Sequence, residues 1–217
     1  MTAPLETVVE NAGWARAKPR LSVLIPFKGD DPVHLLAALD REQAEVEVVV
    51  LDDGSRNPDL FARVANAVKA MRLPTRFVSL SANEGRSKGR NRLVGHARAP
   101  YLLFLDSDML PDTATFLGAW ISLVETDAPA VAFGGFSLKL VRTRPDQMLH
   151  ERMALKSDCL PAEVRRRQPE KNIFTSNLLV RRDVFETEAF DESFAGWGWE
   201  DVEWGMRVAR RWPILHV

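Results

Sequence analysis

Several features are scarce in this 217-residue chain, and each scarcity excludes a class of protein. Cys159 is its one cysteine, so no internal disulfide can form and we expect a reducing, cytoplasmic setting. No apolar run reaches the roughly 20 residues that cross a bilayer, and the first residues lack a secretory signal pattern. The formal net charge of −1 gives no broad field for nucleic acid, so we expect no nucleic-acid partner and only local anion sites.

The composition is that of an ordinary globular domain, with 46% apolar and 27% charged residues. The length suits one α/β domain with a full core. Residues 1–20 are predicted to be an arm or short helix, and residues 21–217 a single domain. Attachment to the inner face of a membrane and self-association both stay open.

The first half of the domain alternates between apolar runs and stretches with helical spacing. Strands are predicted at 21–26, 46–51, 76–80 and 101–105, and helices at 32–39 and 58–71, with a third helix through Leu93 and Ala97. This alternation predicts an α/β fold with a mostly parallel sheet covered by helices on both faces. In such sheets, ligands bind outside the carboxyl ends of the strands.

The predicted strand 101–105 is followed by two carboxylates. Because residues i and i+2 of an extended segment project to the same side, Asp106 and Asp108 can converge on one cation. A plain turn is the alternative, since Asp and Ser favour turns and Pro111 follows. Asp52 and Asp53 end another strand, and four carboxylates in one crevice would repel each other without compensation. A hard divalent cation shared with phosphate oxygens is the usual compensation.

The second half of the domain is less regular. A helix capped by Asp112 is predicted to run to about residue 125, and a strand at 130–140 contains Gly134 and Gly135, which suggest a bulge or a close approach to a ligand. Residues 142–171 are predicted to form a short helix and an irregular segment, with the arginines at 165–167 on a solvated face. A strand at 173–180, a helix to about residue 211 and a strand at 213–217 complete the chain.

Two further stretches carry chemistry. The basic residues Arg86, Lys88 and Arg90 open a helix beside glycines, an arrangement suited to phosphate, although a solvated helix face is an equal alternative. Residues 196–204 interleave glycines with Trp197 and Trp199 before an acidic helix start. Acidic residues are ordinary in a first helical turn, but indole rings beside carboxylates also suit a sugar ring.

The order and spacing of four motifs carry a family resemblance. They are Ser22-Val23-Leu24-Ile25-Pro26, Val50 to Ser55, Asn83-Glu84-Gly85 with Gly89-Arg90-Asn91, and Phe104 to Asp108. Together they resemble the inverting family 2-type glycosyltransferases of the GT-A fold. Residues 196–201 are similar to a motif shared by β-1,4-galactosyltransferases and chondroitin-polymerase-like enzymes.

The resemblance implies an enzyme of polysaccharide synthesis that moves a sugar from a nucleotide-sugar, in the first place a UDP-sugar, to a hydroxyl of a glycan or other acceptor. Residues 21–110 would form the nucleotide-binding half and 111–217 the acceptor-binding half. Mn²⁺ or Mg²⁺ would bridge the diphosphate.

The resemblance also implies site residues. Asp53 would bind the uracil edge, Asp106 would approach the ribose, and Asp108 would ligate the metal. Asp201 would be the general base and Glu200 would bind a sugar. The remaining implied residues are Pro26, Phe27, Lys28, Asp52, Asn83, Gly85, Arg86, Arg90 and Ser107 for the nucleotide-sugar, and Trp197, Gly198 and Trp199 for the acceptor.

Two departures from the family pattern matter. Phe27-Lys28 stands where the family often has Tyr-Asn, so the contact with the base can differ there. Relatives usually continue past this final strand, and a later histidine often completes their metal site. His216 is the candidate third ligand beside Asp106 and Asp108, unless that ligand lies beyond Val217.

Two other functions are alternatives to a glycosyltransferase. They are a nucleotidyltransferase and a non-catalytic nucleotide- or carbohydrate-binding module of the same fold.

Overall fold

The computed structural model describes residues 4–141, 148–194 and 198–217. In these ranges eight strands form one sheet in the order β1-β4-β3-β2-β5-β7-β6-β8. The pairs β2–β3, β3–β4, β2–β5 and β6–β8 are parallel, and the other three are antiparallel. The predicted mostly parallel α/β sheet is therefore confirmed. The strands are β1 Glu6–Glu10, β2 Leu21–Phe27, β3 Val46–Asp52, β4 Thr75–Leu80, β5 Tyr101–Leu105, β6 Val131–Phe133, β7 Asn177–Arg181 and β8 Ile214–His216.

Helices cover both faces of the sheet. They are α1 Val33–Leu39, α2 Pro58–Ala70, α3 Arg86–His96, α4 Phe116–Thr126, α5 Met148–Ser157, α6 Ala162–Arg165, α7 Arg182–Thr187 and α8 Glu200–Val208. One core cluster lies under α1, α2 and α4, and the other lies under α3, α7 and α8. Successive β3 residues alternate between them, since Val48 and Val50 join the first cluster and Val49 and Leu51 the second. In the described ranges, no helix is both long and apolar enough to cross a bilayer.

The N-terminal segment differs from the expected arm or helix. Residues 6–10 form β1, which pairs antiparallel with β4 at the edge of the sheet. The consecutive valines Val8 and Val9 favour an extended backbone. Arg92 of α3 also binds both Glu6 and Glu84, so charged side chains attach this edge strand to the body of the domain.

Helix α4 begins at Phe116 rather than just after Asp112. Its first free N–H groups are capped by Glu42, whose carboxylate accepts hydrogen bonds from Leu117 N at 2.8 Å and Gly118 N at 2.7 Å. Asp112 instead accepts a hydrogen bond from the Ser137 hydroxyl at 2.7 Å. A cap supplied from a distant loop leaves no signal in the local sequence, which is why the boundary was misplaced.

A buried carboxylate joins the elements at the amino ends of the parallel strands. Glu47 has no exposed surface and accepts hydrogen bonds from the Ser22 hydroxyl at 2.7 Å and from Arg98 N at 2.6 Å and Nε at 2.7 Å. The Arg98 guanidinium also lies 4.0 Å from the centre of the Trp14 ring. Glu47 thus connects β2, β3 and the segment after α3.

We expect Glu47→Gln to lower the free energy of unfolding by about 1.5–3 kcal/mol, because a buried hydrogen-bonded ion pair loses its charge. Urea denaturation measures the change. Glu45→Gln is the matched control, since Glu45 is two residues away, its side chain is 69% exposed and it pairs with Arg20 at the surface. A change under about 0.5 kcal/mol is expected there. Equal effects in the two variants would contradict the role assigned to Glu47.

Candidate active site

Several chain segments meet at the end of the sheet where its central parallel strands finish. The parallel strands β2, β3 and β5 end there, at Phe27, Asp52 and Leu105. Strand β7 runs antiparallel to β5 and pairs Asn177 with Leu105, so β7 begins at the edge where β5 ends. The loop before α3 and the start of α8 reach the same place through side-chain contacts of Asp53 and Glu200. This is the crevice in which the sequence predicted ligand binding.

Asp53 organises the loop that precedes α3. Its carboxylate is 8% exposed and accepts hydrogen bonds from Glu84 N at 2.7 Å and Gly85 N at 3.0 Å. Burial raises the pKa of Asp53, an effect that these N–H groups and the nearby Lys28 partly offset. Asp53 therefore holds the loop before α3 at the crevice.

Gly54 makes this arrangement sterically allowed. Its φ is +71°, and a Cβ atom there would lie 2.4 Å from the backbone of Ala82 and Asn83. Asn83 in turn accepts a hydrogen bond from Gly85 N at 3.0 Å, and Gly85 has a φ of +93°. The motif ending β3 and the motif opening α3 thus fit against each other through backbone that only glycine allows.

Two of the predicted nucleotide-binding residues are used inside the protein. Asp52 is 2% exposed and accepts hydrogen bonds from Ser55 N at 2.9 Å and the Ser79 hydroxyl at 3.1 Å. The Phe27 side chain is also buried, in the core beside Phe77. This corrects the prediction for Phe27, because its ring faces the core and not the crevice. Pro26 is half-buried and Lys28 is exposed, so both can still meet a ligand.

A buried arginine lies between the end of β5 and the start of α8. Arg90 is 2% exposed, and its guanidinium is 3.3 Å from Glu200 Oε1 and 3.6 Å from Asp106 Oδ1. Arg86, one turn earlier in α3, is 2.6 Å from the same Glu200 oxygen. Two of the three basic residues predicted either to hold phosphate or to be solvated, Arg86 and Arg90, are thus ion-paired at the crevice, whereas Lys88 is exposed.

The two carboxylates after β5 differ in exposure. Asp106 has a side chain that is 34% exposed, while Asp108 is exposed and Ser107 between them is half-buried. Burial raises the pKa of Asp106. Arg90 and Arg86 lower it, whereas the charges of Asp201 and Asp108 raise it further. The excess of negative charge here is the condition that a bound cation would relieve.

Helix α8 carries three carboxylates in its first turn, and two of them, Glu200 and Asp201, are predicted site residues. Glu200 is 5% exposed, and although burial alone would raise its pKa, a hydrogen bond from its own backbone and the Arg86 guanidinium hold that pKa below its ordinary value. Asp201 accepts hydrogen bonds through Oδ2 from Thr175 N at 3.0 Å and from the Thr175 hydroxyl at 3.2 Å. Glu200 is therefore paired with cations, and Asp201 with neutral donors.

The residue before α8 has an unusual backbone. Trp199 has a φ of +70°, rare for a bulky side chain, and the ring is 78% exposed. Gly198 before it has a φ of +100°. Together they hold an indole ring in solvent next to the acidic helix start. Trp197, the other predicted acceptor contact, lies outside the described residues.

His216 is placed differently from its prediction as a metal ligand. The ring has no exposed surface; Nδ1 accepts a hydrogen bond from Arg165 Nε at 3.2 Å, and Nε2 lies 3.1 Å from the carbonyl oxygen of Pro169. Burial, together with the charges of Arg165 and Arg166, lowers its pKa. Within residues 4–141, 148–194 and 198–217, no three His, Cys, Asp or Glu side chains are grouped to hold a metal. The predicted set of Asp106, Asp108 and His216 is therefore not formed.

One of the three arginines predicted to be solvated needs correction, while Arg166 and Arg167 are exposed as expected. Arg165 is 4% exposed and donates to the carbonyl oxygens of Leu160 and Val217. Its guanidinium fills the space beside Gly135, where a Cβ atom would lie 2.3 Å from Nη1. Gly135 thus lies directly against a buried arginine. The sequence offered a bulge or a close approach to a ligand as reasons for the two glycines, and at Gly135 the close approach is to a side chain of the protein.

The start of β7 contributes polar residues that the sequence analysis missed. Thr175 and Ser176 are 1% and 6% exposed, and Ser176 precedes the residue that pairs with Leu105, which places it beside Asp106. The Ser176 hydroxyl has no hydrogen-bond partner in the part of the chain that the structure describes. The available signal was the run Thr175-Ser176-Asn177 at the start of a predicted buried strand.

The family is now identified by comparison. Residues 22–188 match the description "Glycosyl transferase family 2", and the chain belongs to this family. An N-acetylglucosaminyltransferase of Rhizobium meliloti (strain 1021) is 33% identical over 98 residues, which are 43% of this chain and 23% of that protein. Family membership favours a sugar transferase over the nucleotidyltransferase alternative.

Solved structures confirm the GT-A glycosyltransferase fold. S. aureus TarS 1-349 superposes with a TM-score of 0.66 at 19% identity, over 91% of this chain and 58% of TarS. The mannosyltransferase PcManGT from Pyrobaculum calidifontis, solved with GDP-Man and Mn²⁺, gives 0.62 at 16% identity, over 95% of this chain and 57% of that one. TarS has also been solved with UDP-GlcNAc. The chain spans little more than half of these solved proteins.

We expect His216→Ala to lower the free energy of unfolding by about 3 kcal/mol near pH 7.5, because the buried ring leaves a cavity and Arg165 loses a partner. Since the folded-state pKa of His216 is lowered from 6.5, its stabilising contribution is complete above that pH and is lost as the pH falls below it. The variant and the wild type should therefore differ less at pH 5. Urea denaturation at both pH values tests this, with the exposed His34→Ala as control. A gap that widens on acidification would contradict the assignment.

Proposed function

We propose that this protein is an inverting glycosyltransferase that moves a sugar from a UDP-sugar to an acceptor hydroxyl with the help of a divalent metal. The observation that carries the proposal is the ion-pair chain from Asp106 through Arg90 to Glu200. It joins the end of β5, expected to face the nucleotide, to the start of α8, expected to face the acceptor. A transferase needs both substrates in one site. These ion pairs hold the end of β5 next to the start of α8.

The donor half consists of Asp53, the loop before α3 and the end of β5. Asp53 keeps lone pairs free to accept the N–H of a uracil ring beyond the two backbone donors that it holds. Arg86 and Arg90 bring positive charge to the place where a diphosphate would lie. The complexes of similar proteins with UDP-GlcNAc and GDP-Man support a nucleotide-sugar donor, and UDP-GlcNAc is the first donor to test.

The residues present fit a divalent cation bound with the donor. Asp106 and Asp108 are hard oxygen ligands. Burial is the main cause of the raised pKa of Asp106, the charges of Asp201 and Asp108 raise it further, and a cation would relieve that repulsion. Two protein carboxylates are sufficient when phosphate oxygens and water fill the other positions. Asp108, which is exposed, would be the principal ligand, and Asp106 would assist. When bound, Mn²⁺ or Mg²⁺ would offset the charge that develops on the departing diphosphate.

The acceptor half supplies the base. In a single in-line displacement, the acceptor oxygen bonds to the anomeric carbon as the bond from that carbon to the diphosphate oxygen breaks, and the configuration inverts. The acceptor proton passes to Asp201. Glu200 is held ionised by Arg86 and Arg90, so it is less suited to take that proton and better suited to accept a hydrogen bond from a sugar hydroxyl. The exposed Trp199 ring offers a flat apolar surface to the acceptor.

Asp201→Asn is expected to lower turnover by roughly 10²–10⁴-fold, the usual contribution of proton abstraction, while UDP binding is kept. UDP release from UDP-GlcNAc with Mn²⁺ measures turnover, and calorimetric titration measures UDP binding. Asp183→Asn is the matched control, because Asp183 pairs with Arg181 at the opposite edge of the sheet. Undiminished turnover in Asp201→Asn would exclude Asp201 as the base. Wild-type protein that binds UDP and releases none from any UDP-, GDP- or dTDP-sugar would support a non-catalytic binding module.

Asp108→Asn is expected to weaken UDP binding by at least about tenfold in the presence of Mn²⁺ and to change it little without metal, because a neutral amide is a poorer ligand for a hard cation. Titration of UDP with and without Mn²⁺ separates the two effects. Asp127→Asn, at the exposed end of α4, should behave as wild type. The same loss of affinity with and without metal would contradict the assignment of Asp108.

A further inference from the structure

Thr175 connects the sheet to the first turn of α8. It lies two residues before β7, is 1% exposed and donates both its backbone N–H, at 3.0 Å, and its hydroxyl, at 3.2 Å, to Oδ2 of Asp201. A carboxylate in the first turn of a helix usually caps the N–H groups of that helix or faces water. Asp201 instead binds a neighbouring segment that leads directly into a central strand.

The two oxygens of Asp201 have different surroundings. Oδ2 receives both donors of Thr175, whereas Oδ1 is buried and has no hydrogen-bond partner within the described residues. A buried carboxylate oxygen without a donor is costly, so it calls for an explanation. An acceptor hydroxyl that donates its hydrogen bond to Oδ1 would supply the missing partner and would be in position to transfer its proton there.

The sheet relates this carboxylate to the donor half of the site. Thr175 leads into Asn177, which pairs with Leu105 immediately before Asp106. The β5–β7 pair therefore connects the end of β5, next to Asp106, to Thr175, and Thr175 is hydrogen-bonded to Asp201. Ser176, the residue after Thr175, lies beside Asp106 across this pair, so Thr175 binds Asp201 next to the end of β5. A base fixed in this way keeps one orientation relative to the bound donor.

We propose that Thr175 is a positioning residue for Asp201: its two donors hold Oδ2 so that Oδ1 accepts the proton of the acceptor hydroxyl. The inference rests on the proposed function, in which Asp201 is the base. Thr175 itself touches no reacting atom. Its hydroxyl fixes the side-chain rotamer of Asp201, and its backbone N–H provides a second donor that substitution does not remove. Removing the hydroxyl should therefore slow the chemical step and leave donor binding unchanged.

The test uses the full chain and compares the wild type with three single variants, with Asp201→Asn and with the double variant of Thr175→Val and Asp201→Asn. Thr175→Val keeps the shape and the backbone N–H and removes the hydroxyl donor, whereas Thr175→Ser keeps the hydroxyl. Thr187→Val is the matched control, because that hydroxyl donates to the Asp183 carbonyl oxygen in α7, at the opposite edge of the sheet. Rates of UDP release from UDP-GlcNAc with Mn²⁺ give kcat and KM, and thermal denaturation followed by circular dichroism verifies folding.

We expect Thr175→Val to lower kcat by about 10- to 100-fold, the loss typical of one hydrogen bond to a charged group, with KM for UDP-GlcNAc changed less than about twofold. Thr175→Ser should recover most of kcat, and Thr187→Val should match wild type. Adding Thr175→Val to Asp201→Asn should lower kcat no further, because Thr175 acts through that carboxylate.

The possible results distinguish a failure of the role proposed for Thr175 from a failure of the proposed function. A wild type that turns over no donor would overturn the proposed function, and the role of Thr175 with it. An active wild type together with an unchanged kcat in Thr175→Val, or a further loss in the double variant, would overturn only the role of Thr175. If Thr175→Val does not fold, Thr175→Ser decides instead: a kcat as low as that of Asp201→Asn in a folded Ser variant would overturn the role of the hydroxyl.

Discussion

The arrangement of the site depends on one buried guanidinium. Arg90 is almost fully enclosed, and a buried cation is tolerated only with anionic partners at short distance. Those partners, Asp106 and Glu200, come from segments nearly a hundred residues apart. Because the loss of either carboxylate would leave this buried charge with less compensation, α3 holds the end of β5 near the start of α8. The position of Asp201, next to Glu200, follows from the same constraint.

The fold was largely predictable from sequence because each buried strand of the first half ends in a clear breaker. Strand β2 carries Pro26 near its end and β3 is followed by Gly54, and the observed bounds differ from the predicted ones by a residue or so. The second half was less predictable because its boundaries depend on distant partners. Glu42 caps α4 from a separate loop, and β1 forms only because β4 offers it an edge.

In the candidate site, the positions of motif residues were easier to predict than the directions of their side chains. Motif residues such as Asp53, Arg90 and Asp106 lie at the crevice, as expected from their positions after parallel strands. Side-chain direction was harder to infer. His216 and Phe27 have residue types suited to a site, yet each faces inward. Whether a side chain at a strand end faces ligand or core depends on the twist and packing of neighbouring elements, which a single sequence does not encode locally.

The antiparallel pairing of β5 with β7 has a consequence for how such a protein can change over time. The two strands approach the crevice from opposite chain directions, so residues after Leu105 and residues before Asn177 reach one place from separate stretches of the gene. Insertions or substitutions between β6 and β7 can therefore reshape one side of the crevice while the residues that follow β5 keep their sequence. The fold thus allows one side of a crevice to diversify while the other side is kept.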